Sequence, residues 1–163
     1  MDLDGKFLMR LNYCMQLGMV LNESLRLCTP ASLLPRQAFE NVKMGDVELP
    51  KGMSVWIPVL AIHHSKELWG EDANEFNPQR FAEGVQKACK HQMGFLPFSS
   101  GPRVCLGQNF AIMEAKVVMA MILSRFKFTL SPNYRHAPVC VLTLKPKHGV
   151  PIIFERLKLY TKL

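Results

Sequence analysis

Between Phe95 and Phe110 the chain reads FLPFSSGPRVCLGQNF, and this stretch limits the possible folds more than any other. A loop punctuated by glycine and proline carries one cysteine, Cys105, and runs straight into a long apolar helical segment. A helix N-terminus favours a thiolate over a thiol, and Arg103, just before the cysteine, adds positive charge. Gly101 and Gly107 bracket the pair and let another group approach the backbone closely. Cys105 has three readings: a buried structural cysteine, a nucleophile that needs a His and an Asn or Asp partner, or a thiolate metal ligand. The positive surroundings favour the third.

Composition narrows the setting. At 163 residues with 48% hydrophobic content, the chain is the size of one domain and able to bury a core. Its five cysteines, at 14, 28, 89, 105 and 140, are odd in number and form no C-x-x-C, and the chain shows no N-terminal signal sequence. A disulfide framework or zinc module is therefore disfavoured and a reducing compartment expected. No apolar run reaches the roughly 18 residues needed to cross a bilayer, so no transmembrane segment is expected. Net charge is +7, but Lys and Arg are scattered without interleaved aromatics, which argues against nucleic acid and for a basic face that docks an acidic protein.

In chain order, apolar residues at Leu11, Cys14, Met15, Leu17, Leu21 and Leu25 recur at helical spacing and predict a helix that stops before Pro30. Near its end Glu23 and Arg26 share one face, which taken alone describes a surface ion pair. Turn signals at Gly45-Asp46 and Pro50-Lys51-Gly52 predict a β-hairpin or small meander from Val42 to Ile57. A short helical turn over residues 59–64 ends on the adjacent pair His63 and His64, which suits a structural or surface role better than a metal site. Residues 82–93 are polar and predicted to be exposed. Residues 108–125 are apolar on nearly all sides, which predicts a helix buried in a larger body, and 163 residues offer little else to surround it. FKFTL, VCVLTL and VPIIF read as β-type runs separated by turns.

The pattern F-x-x-G-x-R-x-C-x-G, met by Phe98, Gly101, Arg103, Cys105 and Gly107, resembles the haem-thiolate loop of the cytochrome P-450 family at every defined position. The resemblance extends over nearly the whole chain from Leu11 onward. Glu23 and Arg26 match the family's E-x-x-R helix, and Pro78-Gln79-Arg80-Phe81 matches its P-E-R-F loop, with Gln79 where Glu is more usual. In wording, GQNFAIMEAK and the YRHAP–LTLKPKHG tail look most like the plant clan that includes secologanin-synthase-like and brassinosteroid-inactivating enzymes.

The resemblance implies an α+β fold: the haem-proximal, C-terminal third of a mainly α protein, with two main helices and small β-hairpins. The whole of residues 1–163 would be one partial domain, with the E-x-x-R helix at 11–27, the thiolate loop at 95–107 and the following helix at 108–125. It implies haem b held through Cys105 as axial ligand, with Arg36 and Arg103 on its propionates and Phe98, Gly101 and Gly107 around it. Glu23, Arg26 and Arg80 would form a buried structural lock. Ala31, Ser32, Leu33, Leu34, Leu142 and Thr143 would line the substrate pocket.

The implied activity is monooxygenation of a lipophilic small molecule with dioxygen. Electrons would come from NADPH through the acidic surface of NADPH–cytochrome P-450 reductase. Full-length members face the cytosol on the endoplasmic reticulum membrane, and a chain without the anchor would be cytosolic. The family's A-G-x-[DE]-T stretch, with its acid–alcohol pair, does not occur in these residues. The alternative expectation is therefore a truncated, non-catalytic product unable to activate oxygen by itself.

Overall fold

The computed structural model describes the backbone of residues 5–157 and side chains from residue 13 to 157. Helix α1 spans Gly5–Leu27. Its last i→i−4 hydrogen bond runs from Cys28 N to Ser24 O at 2.9 Å. Pro30 then disfavours helical geometry at Thr29, and the chain turns away.

Among the described residues eight short strands follow as four separate antiparallel ribbons. β1 (Leu34–Gln37) pairs with β4 (Ser54–Ile57), placing Leu34 opposite Ile57 and Arg36 opposite Val55. Directly paired residues share a sheet face, so the half-buried Leu34, Arg36, Val55 and Ile57 form one side. Inside this ribbon β2 (Val42–Met44) and β3 (Val47–Leu49) form the hairpin turned by Gly45-Asp46, with Gly45 at φ +60°. The predicted meander is thus a hairpin nested in a ribbon, and residues 31–33 precede the first strand.

Two short helices, α2 (Val59–His63) and α3 (Lys66–Trp69), lead into 3₁₀ turns at Pro78–Phe81, Val85–Lys87, Gln92–Gly94 and Gly101–Arg103. Among the described residues the buried apolar side chains are Val59, Trp69, Ala73, Phe81 and Leu96. Met19, Leu68, Ala88, Cys89 and Phe95 pack around the Trp69–Ala73–Phe81 cluster. Residues 82–93 are therefore not wholly exposed as their polarity predicted. Ala88 and Cys89 point inward, and Gly94 packs so closely on Cys89 that a Cβ there would overlap its sulfur.

Helix α4 covers Gln108–Leu123, ending two residues earlier than expected. It lies against α1, where Lys116 passes over Gly18. Phe110, Met113, Val117, Val118 and Met121 are exposed, as expected of an all-round apolar helix with little to surround it: α1 and the strand that follows pack against α4 and leave an outer face uncovered. β5 (Phe126–Leu130) pairs with β8 (Ile152–Arg156), and Phe154 packs on Phe126 and Phe128. β6 (Pro138–Cys140) and β7 (Leu144–Pro146) split the VCVLTL run, leaving residues 141–143 as the hairpin tip. The result is a mixed helix and small-sheet fold.

Candidate functional site

Glu23 and Arg26 are both fully buried, not the surface pair that their spacing alone describes. Arg26 grips the carboxylate with two prongs, Nε to Oε2 at 2.7 Å and Nη2 to Oε1 at 2.8 Å. Its remaining N–H groups donate to three carbonyls, those of His63 (2.6 Å), Ala73 (2.6 Å) and Glu75 (3.2 Å). The guanidinium also lies over the Trp69 ring, 5.0 Å from its centroid. Asn77 N–H donates to Glu23 Oε1 at 2.9 Å, and Arg80 Nε stands 3.4 Å from the same oxygen as a charge contact.

Arg80 is nearly buried and fixed by the carbonyls of Trp69 (2.9 Å) and Asp72 (2.5 Å) and by the Asp72 carboxylate (2.6 Å). Burial pushes the Glu23 carboxyl upward, but the hydrogen bonds from Arg26 and Asn77 and the charges of Arg26 and Arg80 outweigh it, so its pKa is lowered. The Arg80 hydrogen bond, helped by Asn77, likewise lowers that of Asp72. The structure therefore brings Glu23, Arg26 and Arg80 together. The sequence reading missed Asp72 and the carbonyl cage, for which acidic residues in an irregular loop give no periodic signal.

His63, the buried member of the histidine pair, joins this network to the cysteine loop. Its Nε2 accepts from Leu96 N–H at 2.8 Å, which leaves the proton of the neutral ring on Nδ1, facing the Arg26 carbonyl at 3.1 Å. Phe95 stacks on the ring at 5.5 Å. Burial, together with the nearby charges of Arg26 and His64, pushes the His63 pKa down to about 4 although the Arg26 carbonyl works the other way. His64 meets the Asn74 side chain and the Leu27 carbonyl at the surface.

Beyond Leu96 the loop folds on its own backbone. Ser99 N–H reaches Leu96 O at 3.1 Å, and Cys105 N–H reaches Phe98 O at 2.9 Å. Gly101 takes φ +69°, and Ser99 adopts φ +66°, a left-handed conformation uncommon outside glycine. Residues 101–107 are all exposed, so the buried-cysteine reading of Cys105 does not hold. Leu106 beside it is fully exposed, and Phe98 is half-buried. Arg103 lies exposed in the Gly101–Arg103 turn. Arg36 reaches the same loop from β1, donating Nη2 to Ser99 Oγ at 2.6 Å and Nη1 to Pro35 O at 2.8 Å. Gly107 precedes α4, and a Cβ there would sit 3.9 Å from the Cys105 sulfur.

Two distant segments named from sequence also meet. Leu144 N–H donates to Pro30 O at 2.9 Å, and Ser32 Oγ lies 3.2 Å from Cys140 Sγ. The 31–34 segment and the β6–β7 hairpin are thereby neighbours. Leu33 and Leu142, 49% and 90% exposed, are unburied apolar side chains on the two of them, whereas Ser32 is buried at their junction.

The cytochrome P-450 family model matches residues 8–150. The chain belongs to the cytochrome P-450 family.

Among relatives, a cytokinin hydroxylase of Arabidopsis thaliana is 60% identical over 143 residues, covering 88% of this chain and 27% of that protein. An 11-oxo-beta-amyrin 30-oxidase of Glycyrrhiza uralensis is 52% identical over 139 residues, 85% of this chain and 27% of the relative. A cytochrome P-450 of Panax ginseng is 48% identical over 156 residues, 96% and 29% respectively. The chain thus spans under a third of the length of these plant relatives.

The residues of this cytochrome P-450 chain fit a haem. Among the described residues no group of three or more His, Cys, Asp or Glu could hold a metal ion. The loop that carries the exposed Cys105 also carries Phe98 and Arg103 and is hydrogen-bonded by Arg36, an aromatic ring and two arginines that suit an apolar ring with carboxylate tails. No helix among the described residues is long and apolar enough to cross a membrane.

Proposed function

We propose that this chain forms the thiolate-bearing part of a haem-thiolate monooxygenase that hydroxylates a lipophilic small molecule. The observation that carries the reading is an exposed Cys105 thiol in a loop pinned from β1 by the Arg36 guanidinium. Cys105 would be the axial ligand of haem b. With an axial thiolate the haem supplies oxygen-activating chemistry. Arg36 and Arg103 would bind its propionates, Phe98 would keep water from the sulfur, and Gly101 and Gly107 would admit the macrocycle edge. Glu23, Arg26 and Arg80, paired with one another, would hold the platform behind the loop.

Ala31, Ser32, Leu33, Leu34, Leu142 and Thr143 would shape the substrate side, with Leu33 and Leu142 offering apolar contact. The relatives named a cytokinin hydroxylase and an 11-oxo-beta-amyrin 30-oxidase support oxidation of a small plant metabolite as the reaction class. Electrons would come from NADPH through a flavoprotein reductase, and the net charge of +7 suits an acidic docking face. The endoplasmic reticulum surface is the proposed location, and residues 1–163 would be one part of a single domain.

The test is spectroscopic. The chain is reconstituted with haem, reduced and exposed to carbon monoxide, and the Soret band is recorded. A red-shifted thiolate–CO band that Cys105→Ser abolishes is expected. Failure to retain haem, or the same band in Cys105→Ser, would sink the reading.

A further inference from the structure

His63 is fully buried, and while its carbonyl serves the ion network, its imidazole faces the start of the cysteine loop. Both ring nitrogens are engaged, one by the carbonyl of Arg26 on α1 and the other by the amide of Leu96. Leu96 is itself buried, so its N–H has no water to turn to and would be left unpaired without the ring. Everything between Leu96 and Cys105 is then built by short steps from that fixed amide. The Leu96 carbonyl takes Ser99 N–H, Ser99 Oγ takes the Arg36 guanidinium, and the Phe98 carbonyl takes Cys105 N–H. The ring of Phe95, the residue before Leu96, stacks on the same imidazole and sits 5.1 Å from Phe81.

We propose that His63 is a positioning residue for the cysteine loop, holding Leu96 N–H so that Cys105 and the Arg36 guanidinium are presented in register. This rests on the haem-thiolate reading for what the loop is for, but not for how the loop is held. A merely space-filling histidine would serve as well with either nitrogen, whereas this role needs an acceptor at the Nε2 position. His63→Gln places an amide oxygen near that position. His63→Asn reaches only as far as Nδ1, keeping a partner for Arg26 and losing the one for Leu96.

The experiment measures backbone amide exchange of the full chain without haem, comparing residues 96–105 with α4 in wild type and both variants. Loop exchange in His63→Gln within about threefold of wild type, and about tenfold faster in His63→Asn with α4 unchanged, is expected for loss of one buried hydrogen bond. Equal loop exchange in the two variants, whether both stay protected or both open, overturns the proposal. So does an unprotected loop in the wild type. A second measurement takes haem affinity by Soret titration, which should follow the same order. If the wild type takes up no haem, the haem-thiolate reading fails while the exchange comparison still decides the role of His63.

Discussion

Arg36 and Ser99 lie 63 residues apart in sequence and are joined by a 2.6 Å hydrogen bond from guanidinium to hydroxyl. The β1–β4 ribbon and the cysteine loop are thereby fixed to each other through an arginine that also offers donors outward. Ser99 accepts this bond from a left-handed backbone, so the loop's own conformation aims the hydroxyl at the ribbon.

Replacing Arg36 by Lys keeps the charge and loses the fork. Haem affinity, read by Soret titration, should fall about tenfold, the cost of one charge-assisted hydrogen bond. Ser99→Ala should give a smaller loss, since it frees the guanidinium without removing it. Unchanged affinity in Arg36→Lys would remove that residue from the site.

The ion network predicts a severe effect from an isosteric change. Glu23→Gln leaves Arg26 charged, buried and without its carboxylate, so unfolding in urea should show a loss of roughly 3–5 kcal/mol. Against a typical total of about 5–15 kcal/mol, that can unfold the chain. A loss below about 1 kcal/mol would mean that the backbone carbonyls alone satisfy Arg26.

Acid should destabilise the chain well before carboxylates elsewhere titrate. The folded His63 pKa of about 4 lies below its unfolded value of 6.5, so its contribution is complete above pH 6.5 and falls away toward pH 4. The fall is at most roughly 3 kcal/mol at the low end of that window. Glu23, whose pKa is lowered from 4.5, adds a further loss as pH drops below that value. Thermal melts of wild type and His63→Gln between pH 7 and 4 check the first part, because the glutamine cannot titrate and its curve should be flatter.

Gly94 makes a steric prediction independent of charge. A Cβ there overlaps the Cys89 sulfur, so Gly94→Ala should cost about 1–3 kcal/mol by overpacking. The double variant Gly94→Ala with Cys89→Ala removes the obstacle and should regain much of the loss, a coupling that equilibrium unfolding measures directly. Strictly additive losses would show that the backbone, not the sulfur, resists the methyl group.

Much of this site is written in local sequence, because a helix period, a turn dipeptide and a cysteine between glycines all act within a few residues. Helix α1, the Gly45-Asp46 hairpin and the α4 start at the loop could be read that way. Local rules misjudged Glu23 and Arg26, since their spacing says nothing of the carbonyls of residues 63, 73 and 75 that make burial tolerable. The family resemblance supplied what spacing alone did not. His63 was marked by its neighbour His64 as structural or surface, but its two partners, 37 and 33 residues away, lie beyond the reach of local spacing. The composition of α4 asks for cover on all sides, and among the described residues its outer face stays exposed, as the scarcity of other apolar segments led one to expect.

The carbonyl cage around Arg26 also constrains the order in which this polypeptide can mature on the ribosome. Helix α1 is synthesised before its partners: the Arg26 guanidinium needs acceptors at residues 63, 73 and 75, and the Glu23 carboxylate a neighbour at Arg80. Until those emerge, Glu23 and Arg26 keep their hydration, and the nascent helix has no reason to give up water. Docking of α1 is thus timed by the arrival of a segment some fifty residues downstream.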